Sequence, residues 1–387
     1  MDLTWPSDLE LFREEVRRWL ASELQGRRFP KIRRPDTIGP LRDWEATLYA
    51  AGFAAVDWPA KWGGGGLDAV KSSIFFSEYA AARGPRRLNR QAMGLAGPTL
   101  MLHGTPAQQE RWLPRMVSCD DIWCQGFSEP DSGSDLASLR TLAVREWEYY
   151  VVTGQKTWSS NAPLANWMFA LVRTDRELPR HRGLTYLMID LTAPGIEVRP
   201  IQQLDGNADF AEVFFEGVRV PVENRIGLEN DGWRVAMSTL RIERGIGTTN
   251  AAEMDVLVLE VEKIFDQVGA WTNRRLVTDL IELRARVQRY RLNAYAMLSS
   301  SREKSISTLG MLHKVEWSTL QLALYELGLR ALGAEHFDDT MELTDDEDSF
   351  RSRYWLARAS LIYSGTNEIQ RNLIGERCLG LAKDATR

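Results

Sequence analysis

Glu243 is a candidate for acid–base chemistry because of its apolar neighbours. It follows Leu240 by three residues and precedes Ile246 by three, so the three positions share one face of a predicted helix. A carboxylate on an apolar face is partly desolvated, which raises its pKa and suits it to take a proton from a weakly acidic C–H bond. Periodicity by itself favours a second interpretation, in which Glu243 and Arg244 form an exposed pair on a solvated face.

Other reactive residue types offer less. The four consecutive glycines at 63–66 could form an anion-binding nest, but such a run is more often a tight loop, and we favour the loop. The three cysteines form no CxxC pair, and the four histidines have no metal-ligand spacing. We therefore expect no disulfide framework and no metal site. The cysteine content fits a reducing, cytoplasmic compartment.

Composition excludes several classes of protein. The chain has 387 residues, which is enough for two or three packed units. Its formal net charge of −5 gives no electrostatic reason to expect binding to nucleic acid or to an anionic membrane. The sequence has no basic segment followed by an apolar stretch at its start, and no run of apolar residues long enough to span a membrane.

The predicted secondary structure that must position these residues changes twice along the chain, from helices to strands and back to helices. We predict a helical domain over 1–121, a small antiparallel β-barrel or sandwich domain over 122–229, and a helical bundle over 230–387. Predicted helices of the first domain are 7–25, 41–51, 68–83 and 98–117, with Pro106 as a helix start. Predicted strands are 144–153, 167–173, 183–190 and 212–220, separated by turn residues such as Gly154. Predicted helices of the bundle are 254–268, 274–301, 304–332, 349–363 and 366–378.

Four local motifs are more specific than this layout. They are QGFSEPDSGSD at 125–135, GQKTWSSN at 154–161, EVFFEGVRVP at 212–221 and YSGTNEIQRN at 363–372. In order and content they resemble the motifs of the acyl-CoA dehydrogenase family, and together they extend over most of the chain. The resemblance implies an α+β fold of helical, β-barrel and helical-bundle domains. It also implies FAD-dependent α,β-desaturation of an acyl-CoA thioester.

The resemblance also assigns residues. Because no GxGxxG follows a predicted strand, FAD would not bind on a Rossmann unit. The family positions that contact FAD are matched by Gln125, Phe127, Ser128, Ser134, Trp158, Ser160, Thr366 and Glu368. The positions that contact the substrate are matched by Ser134, Leu240, Arg244, Ser364 and Gly365, and the backbone N–H of Ser364 would face the thioester oxygen.

The catalytic base departs from the commonest family pattern. Most members carry glutamate immediately before the C-terminal Gly-Thr, where this chain has Ser364, and a serine cannot act as that base. Branches similar to isovaleryl- and long-chain acyl-CoA dehydrogenases place the glutamate on an earlier helix as Glu-Arg. The segment LRIERG at 240–245 looks like that motif, so the resemblance implies Glu243 as the base and Arg244 beside the thioester.

Two further departures concern partners. Segment 273–279 lacks the Phe-Gly of an Arg-x-x-Phe-Gly motif, and segment 330–336 keeps one glycine of a Gln-x-x-Gly-Gly-x-Gly motif. In the family both motifs reach the FAD of a neighbouring subunit. We therefore favour an α2β2 heterotetramer, similar to actinobacterial dehydrogenases of steroid side-chain thioesters, over a homotetramer with substituted contacts. An electron-transfer flavoprotein is the expected electron acceptor.

Alternatives remain at this point. The chain could be a non-catalytic scaffold subunit that completes a partner's flavin site, although Glu243 and the intact motifs argue against it. It could be an acyl-CoA oxidase or flavin monooxygenase on the same fold, or a dehydrogenase of carrier-protein thioesters. Its acyl group could be fatty or steroid-derived.

Overall fold

The computed structural model describes residues 6–30, 35–204, 206–243, 247–298, 303–333 and 350–382. They belong to two compact units. We call the first the helical unit (Met1–Lys31, Leu67–Pro85 and Arg244–Arg387) and the second the sheet unit (Ile32–Gly66 and Arg86–Glu243). The predicted combination of helices and a middle sheet is confirmed, whereas the domain boundaries at 121 and 229 stay a prediction.

The elements follow one another as predicted, from helices to strands to helices. The helices are α1 Ser7–Leu24, α2 Gly39–Ala50, α3 Ala69–Ala81, α4 Gly97–His103, α5 Pro106–Val117, α6 Gly232–Glu243, α7 Gly247–Val268, α8 Arg274–Leu298, α9 Glu303–Leu332, α10 Phe350–Ala359 and α11 Asn367–Arg377. The strands are β1 Trp123–Gly126, β2 Leu142–Glu146, β3 Tyr149–Ser160, β4 Trp167–Arg173, β5 Leu184–Asp190, β6 Ile196–Ile201, β7 Phe210–Pro221 and β8 Arg225–Ile226.

The helical unit has its core among α7, α8 and α9, where apolar residues at helical spacing lie buried against each other. Phe265, Tyr290, Leu320 and Leu324 are fully buried there. Packing of these apolar faces, more than helix propensity, stabilises such long helices. None of the described helices is long and apolar enough to cross a membrane.

The sheet unit contains one eight-stranded sheet in the order β6-β7-β3-β2-β4-β5-β8, with β1 paired to β4. Most pairings are antiparallel, as predicted, but β1 runs parallel to β4, and β2 also meets β4 in parallel at one residue pair. Asn166 fixes this register, since its side chain accepts a hydrogen bond from Ile122 N and its backbone N–H donates to Ile122 O. The stacked rings of Trp123 and Trp167, with centroids 5.4 Å apart, continue the pairing.

The predicted strand at 144–153 is instead a hairpin. Strands β2 and β3 pair antiparallel around a turn at Trp147, whose φ is 55°. Because this turn contains neither glycine, proline nor asparagine, the composition does not reveal it. Gly154, predicted as a turn, lies inside β3 at a register shift with φ 148°. A Cβ there would come within 2.7 Å of Thr141 Cα, so close backbone approach explains this glycine.

Helix boundaries agree where a local signal exists. Helix α5 begins at Pro106, as predicted, and Thr105 forms a capping box with Gln108. The helix predicted over 349–363 ends earlier, at Ala359. Three strands, β1, β6 and β8, are absent from the predicted set, and β6 contains Pro200.

Candidate functional site

The two motifs predicted to bind the flavin ring come together in the sheet unit. Ser128 follows β1, and its carbonyl oxygen accepts a hydrogen bond of 2.9 Å from Thr157 N in β3. Phe127 is buried, with its ring centroid 5.9 Å from those of Phe169 and Tyr186. The end of β1 and the end of β3 thus lie side by side.

Trp158 projects from this junction. The pairing of β3 with β7 shifts register between Lys156 and Ser159, and Trp158 in this bulge has φ 58°. The side chain is 59% exposed and contacts the Phe210 ring edge-on. Bulges and left-handed non-glycine residues cluster at functional sites, where they re-aim a side chain. An exposed indole held in this way suits contact with a flat ring.

Polar residues follow Trp158 along the chain. Ser160 is half-buried at the end of β3, and the buried Ser159 Oγ has no hydrogen-bond partner among the described residues. Asn161, with φ 63°, donates from its backbone to Asp209 O at 2.7 Å and from its side chain to Leu88 O at 3.2 Å. These bonds fix the chain where β3 ends.

A buried ion pair lies next to these residues. Lys156 Nζ is 2.8 Å from Glu129 Oε1, and the lysine side chain is 0% exposed. The ammonium also donates to Phe127 O at 3.1 Å and to Leu171 O at 2.7 Å. Burial alone would raise the pKa of Glu129, but the charge and hydrogen bonds of Lys156 hold it below its usual value.

The other two predicted residues of the first motif have different surroundings. Gln125 is half-buried in β1 and pairs in register with Phe169 of β4. Ser134 is exposed in the loop that follows Glu129, next to Asp135, whose carboxylate pairs with Arg180 at 3.0 Å. Both lie in the sheet unit with Phe127, Ser128, Trp158 and Ser160.

Helix α6 carries the predicted base at its last position. Thr239 on α6 and Thr99 on α4 are both buried, and their hydroxyl groups share a hydrogen bond of 2.8 Å. This bond connects the two helices. Leu240 is half-buried. The helix ends at Glu243, but the glutamate side chain and all of Arg244 lie outside the described residues. Their predicted roles stay predictions.

The remaining predicted residues lie in the helical unit, in the loop before α11 and in the first turn of that helix. Ser364 has φ 57° and Gly365 has φ 82°, so two left-handed residues in succession turn the chain. Gln370 donates its side-chain N–H to Ser364 O at 3.0 Å. Thr366 caps α11 by accepting from Ile369 N, whereas Glu368 is exposed in the first turn.

Helix α9 holds this loop in place. Lys314 Nζ donates to Asn367 Oδ1 at 2.8 Å and to Leu361 O at 3.3 Å, and Ser318 Oγ donates to the same Asn367 oxygen at 3.1 Å. The three side chains that make these bonds are buried. The backbone around Ser364 is therefore fixed from both ends of the loop.

The glycine run at 63–66 is a tight loop, as favoured. Its four backbone N–H groups all donate to carbonyl oxygens of the chain itself, those of Ala60, Pro59, Ala55 and Trp58. A nest needs such groups free to face an anion, so the anion-binding interpretation is wrong. A Cβ on Gly64 would lie 2.3 Å from Trp58 O, which accounts for glycine at that position.

Among the described residues, Lys156 and Lys314 are buried lysines that the sequence did not reveal. Lysine is ordinarily exposed, and neither has an acidic residue at helical or cross-strand spacing to suggest burial. One feature could have indicated a special role for Lys156: it lies within the motif GQKTWSSN at 154–161, whose other residues include the predicted flavin contacts Trp158 and Ser160. Within the part of the chain that the structure describes, no three histidine, cysteine or acidic side chains form a group able to hold a metal ion.

Comparison with known families gives a consistent match along the chain. The N-terminal, middle and C-terminal domain models of the acyl-CoA dehydrogenases match residues 6–120, 124–218 and 230–379. Acyl-CoA dehydrogenase IpdE1 of Mycobacterium tuberculosis is 38% identical, over 98% of this chain and 99% of its own. Acyl-CoA dehydrogenase FadE26 of the same organism is 30% identical, over 99% of both chains.

Two solved structures are similar over the whole chain. The steroid acyl-CoA dehydrogenase Tcur3481-Tcur3483 superposes with a TM-score of 0.85 at 25% identity, covering 99% of this chain and 100% of that one. The ChsE4-ChsE5 complex from Mycobacterium tuberculosis gives a TM-score of 0.83 at 28% identity, with the same coverage.

Proposed function

Because this chain belongs to the acyl-CoA dehydrogenase family of oxidoreductases, we propose that it catalyses FAD-dependent α,β-desaturation of an acyl-CoA thioester. One observation carries the proposal. Thr157 and Ser128 join the motifs at 125–135 and 154–161, and Trp158 is presented at their junction by a bulge and a left-handed backbone. A chain that needed these motifs only for folding would have little reason to expose an indole there.

The described residues fit a flavin. Trp158 offers an aromatic wall, and Ser128 and Ser160 offer small hydrogen-bonding groups beside it. From the family positions that they match, we also assign Gln125, Phe127, Ser134, Thr366 and Glu368 to FAD binding. When bound, FAD would accept the β-hydrogen of the substrate as a hydride.

The chain's own residues supply the remaining chemistry. The Glu243 carboxylate takes the α-proton, the electron pair of the α C–H bond forms the new C=C bond, and the β C–H pair leaves as hydride. The Ser364 N–H donates to the thioester oxygen, which gains charge as the α-proton leaves. Leu240, Arg244, Ser134 and Gly365 are assigned to substrate binding.

The experiment that tests this proposal is replacement of the base. Glu243→Gln keeps the size of the side chain and removes its basicity, so FAD affinity should persist while turnover falls on the order of 10³-fold. Single-turnover bleaching of the flavin absorbance under anaerobic conditions measures the chemical step directly. Near-normal bleaching in Glu243→Gln would refute Glu243 as the base. Ser364→Ala is the matched control, because only its backbone N–H is assigned a role.

For the substrate class we propose a steroid-derived acyl-CoA. The support is similarity to the two structures above, one of which is a steroid acyl-CoA dehydrogenase. A panel that pairs steroid side-chain thioesters with straight-chain acyl-CoAs of equal length separates the two classes. Faster bleaching with straight-chain thioesters would contradict the steroid assignment.

For the electron acceptor we propose an electron-transfer flavoprotein. Peroxide formation during turnover would instead indicate an oxidase, in which the reduced flavin reacts with oxygen.

We further propose a heteromer with a related partner subunit. Asp279 and Arg330 lie in the two segments that depart from the family motifs, and they pair with each other at 2.8 Å within the helical unit. Arg330 stands where the second family motif has glutamine, and this arginine is engaged by a carboxylate of its own chain. The heteromeric complex ChsE4-ChsE5 is among the similar structures.

A further inference from the structure

The ion pair of Lys156 and Glu129 takes no part in the chemistry proposed above, yet it adjoins both segments that carry predicted flavin contacts. Lys156 precedes Trp158 by two residues, and Glu129 follows Ser128. We propose that Lys156 is a positioning residue, whose ammonium group holds Ser128 and Trp158 in the arrangement that binds the flavin. This inference rests on the proposed function, because the flavin is part of that proposal.

The contacts of the ammonium group account for all of its hydrogen atoms. Its three acceptors are Phe127 O at 3.1 Å, Glu129 Oε1 at 2.8 Å and Leu171 O at 2.7 Å. An ammonium has three donors and no acceptor, so this set is complete. No water is needed to satisfy the group, and its position is fixed by three strands of the sheet unit or the loops beside them.

The bond to Phe127 O has a direct consequence for Ser128. The Phe127 carbonyl and the Ser128 N–H belong to one planar trans peptide, in which the two groups point in opposite directions. Fixing the oxygen toward the buried Lys156 therefore directs the Ser128 N–H away from it. Lys156 of β3 binds the Phe127 carbonyl, and the next residue, Thr157, binds the Ser128 carbonyl through its backbone N–H. The peptide groups on both sides of the Ser128 Cα are therefore held by β3.

Glu129 extends the same arrangement. Its carboxylate accepts from Arg140 N at 2.6 Å and Thr141 N at 2.9 Å in addition to Lys156. The ion pair thus joins the segment after β1 to β3 and to the segment that leads into β2. Stability alone does not explain a buried pair, since apolar replacement of both partners is often neutral or stabilising. A positioning role does explain it. Loss of a stabilising pair would change the thermal midpoint, whereas loss of a positioning pair would change FAD affinity.

The test uses the full chain with both charges removed, as Lys156→Met with Glu129→Gln. We expect a thermal midpoint of the flavin-free protein close to that of the wild type. FAD affinity, measured by titration, should fall on the order of 10–100-fold, as for other partners that orient a binding group. In the flavin-free protein, amide hydrogen exchange should accelerate at 125–130 and 156–160. The matched control is Arg115→Met with Asp121→Asn, another ion pair of the sheet unit, which should leave FAD affinity unchanged.

The outcomes separate this inference from the proposed function. Wild-type FAD affinity and wild-type exchange in the folded double variant would overturn the role of Lys156. If the double variant does not fold, Lys156→Met alone removes the ammonium group while Glu129 keeps its hydrogen bonds from Arg140 N and Thr141 N, and unchanged FAD affinity in that variant would also overturn the role of Lys156. Failure of the wild-type chain to bind FAD would contradict the proposed function, and the exchange measurement would then decide on Lys156 by itself.

Discussion

Trp158 and Trp147 are both exposed tryptophans with a left-handed backbone, but their neighbourhoods differ. Trp147 is 92% exposed at the tip of the β2–β3 hairpin, whereas Trp158 adjoins Ser128 and contacts Phe210. Each conformation costs on the order of 1 kcal/mol or more for a non-glycine residue. The strained backbone of Trp158 lies in a β-bulge that turns its ring toward solvent. Such a combination is typical of a binding residue.

The pair supplies a prediction with its own control. Trp158→Ala should lower FAD affinity by about tenfold or more, since loss of ring contact is worth roughly 1–2 kcal/mol. Its effect on thermal stability should be small because the side chain is largely exposed. Trp147→Ala removes an equally large ring and should leave FAD affinity unchanged. Equal affinities in the two variants, measured by flavin titration, would remove Trp158 from the cofactor site.

At the scale of elements, the first residue of α4 must be small because the Trp58 ring lies against it. A short π-helical segment, Ala92–Ala96, precedes Gly97, and Trp58 Nε1 donates to Met93 O within it at 3.2 Å. The Trp58 ring then fills the space beside Gly97, where a Cβ would lie 1.9 Å from the ring. π-Helical turns are frequent near functional sites, and this one leads into α4, which bonds to the helix that carries the predicted base.

We therefore expect Gly97→Ala to destabilise the protein. The added methyl group cannot be accommodated without moving Trp58 or α4, so the free energy of unfolding should fall by about 1–3 kcal/mol or more. Gly133→Ala is the control, because a Cβ there meets no atom within 4 Å. Denaturant unfolding measures both variants, and an unchanged midpoint for Gly97→Ala would show that the helix can shift at little cost.

Helix α9 contributes a pH dependence. Its His313 is 4% exposed, neither ring nitrogen has a hydrogen-bond partner among the described residues, and burial lowers its pKa from 6.5 to about 4. Between these two pH values the unfolded chain binds a proton that the folded chain does not. Stability should therefore fall as the pH decreases from 6.5 to 4, by about 3 kcal/mol in total.

His313→Leu should remove this part of the acid sensitivity. We expect the free energy of unfolding of the variant to change less between pH 7 and pH 4.5 than that of the wild type. His181→Ala, at an exposed position, should retain the wild-type slope. Parallel pH profiles for His313→Leu and the wild type would mean that His313 gains its proton in the folded state as readily as in the unfolded one.

At the scale of the whole molecule, flavin content distinguishes the proposed assemblies. In the heteromer, the departures from the family motifs in segments 273–279 and 330–336 should leave the partner's flavin site incomplete. The assembly should then contain FAD at about half the molar amount of protein chains. A homotetramer with substituted contacts should contain one flavin per chain. Native mass spectrometry of the co-expressed proteins, with flavin absorbance, measures both quantities, and full occupancy would contradict the heteromer as proposed.

The sequence by itself determined the order of helices and sheet, the family motifs and the helix starts that carry a cap. The start of α5 shows why. The capping box of Thr105 and Gln108, with Pro106 at the first helical position, lies within the same four residues whose conformation it determines. The placement of Gln125, Phe127, Ser128, Trp158 and Ser160 in one unit also followed from the motifs, whereas their roles stay predictions.

Only the tertiary structure decided which groups meet across long separations. Lys156 reads in the sequence as an ordinary exposed lysine, and its partner Glu129 lies 27 residues away. The parallel pairing of β1 with β4 and the left-handed backbone of Trp158 likewise depend on neighbours that no local pattern specifies. The physical reason is that burial can sustain an ion pair or a strained backbone only when surrounding segments supply every hydrogen bond, and those segments are brought together by folding.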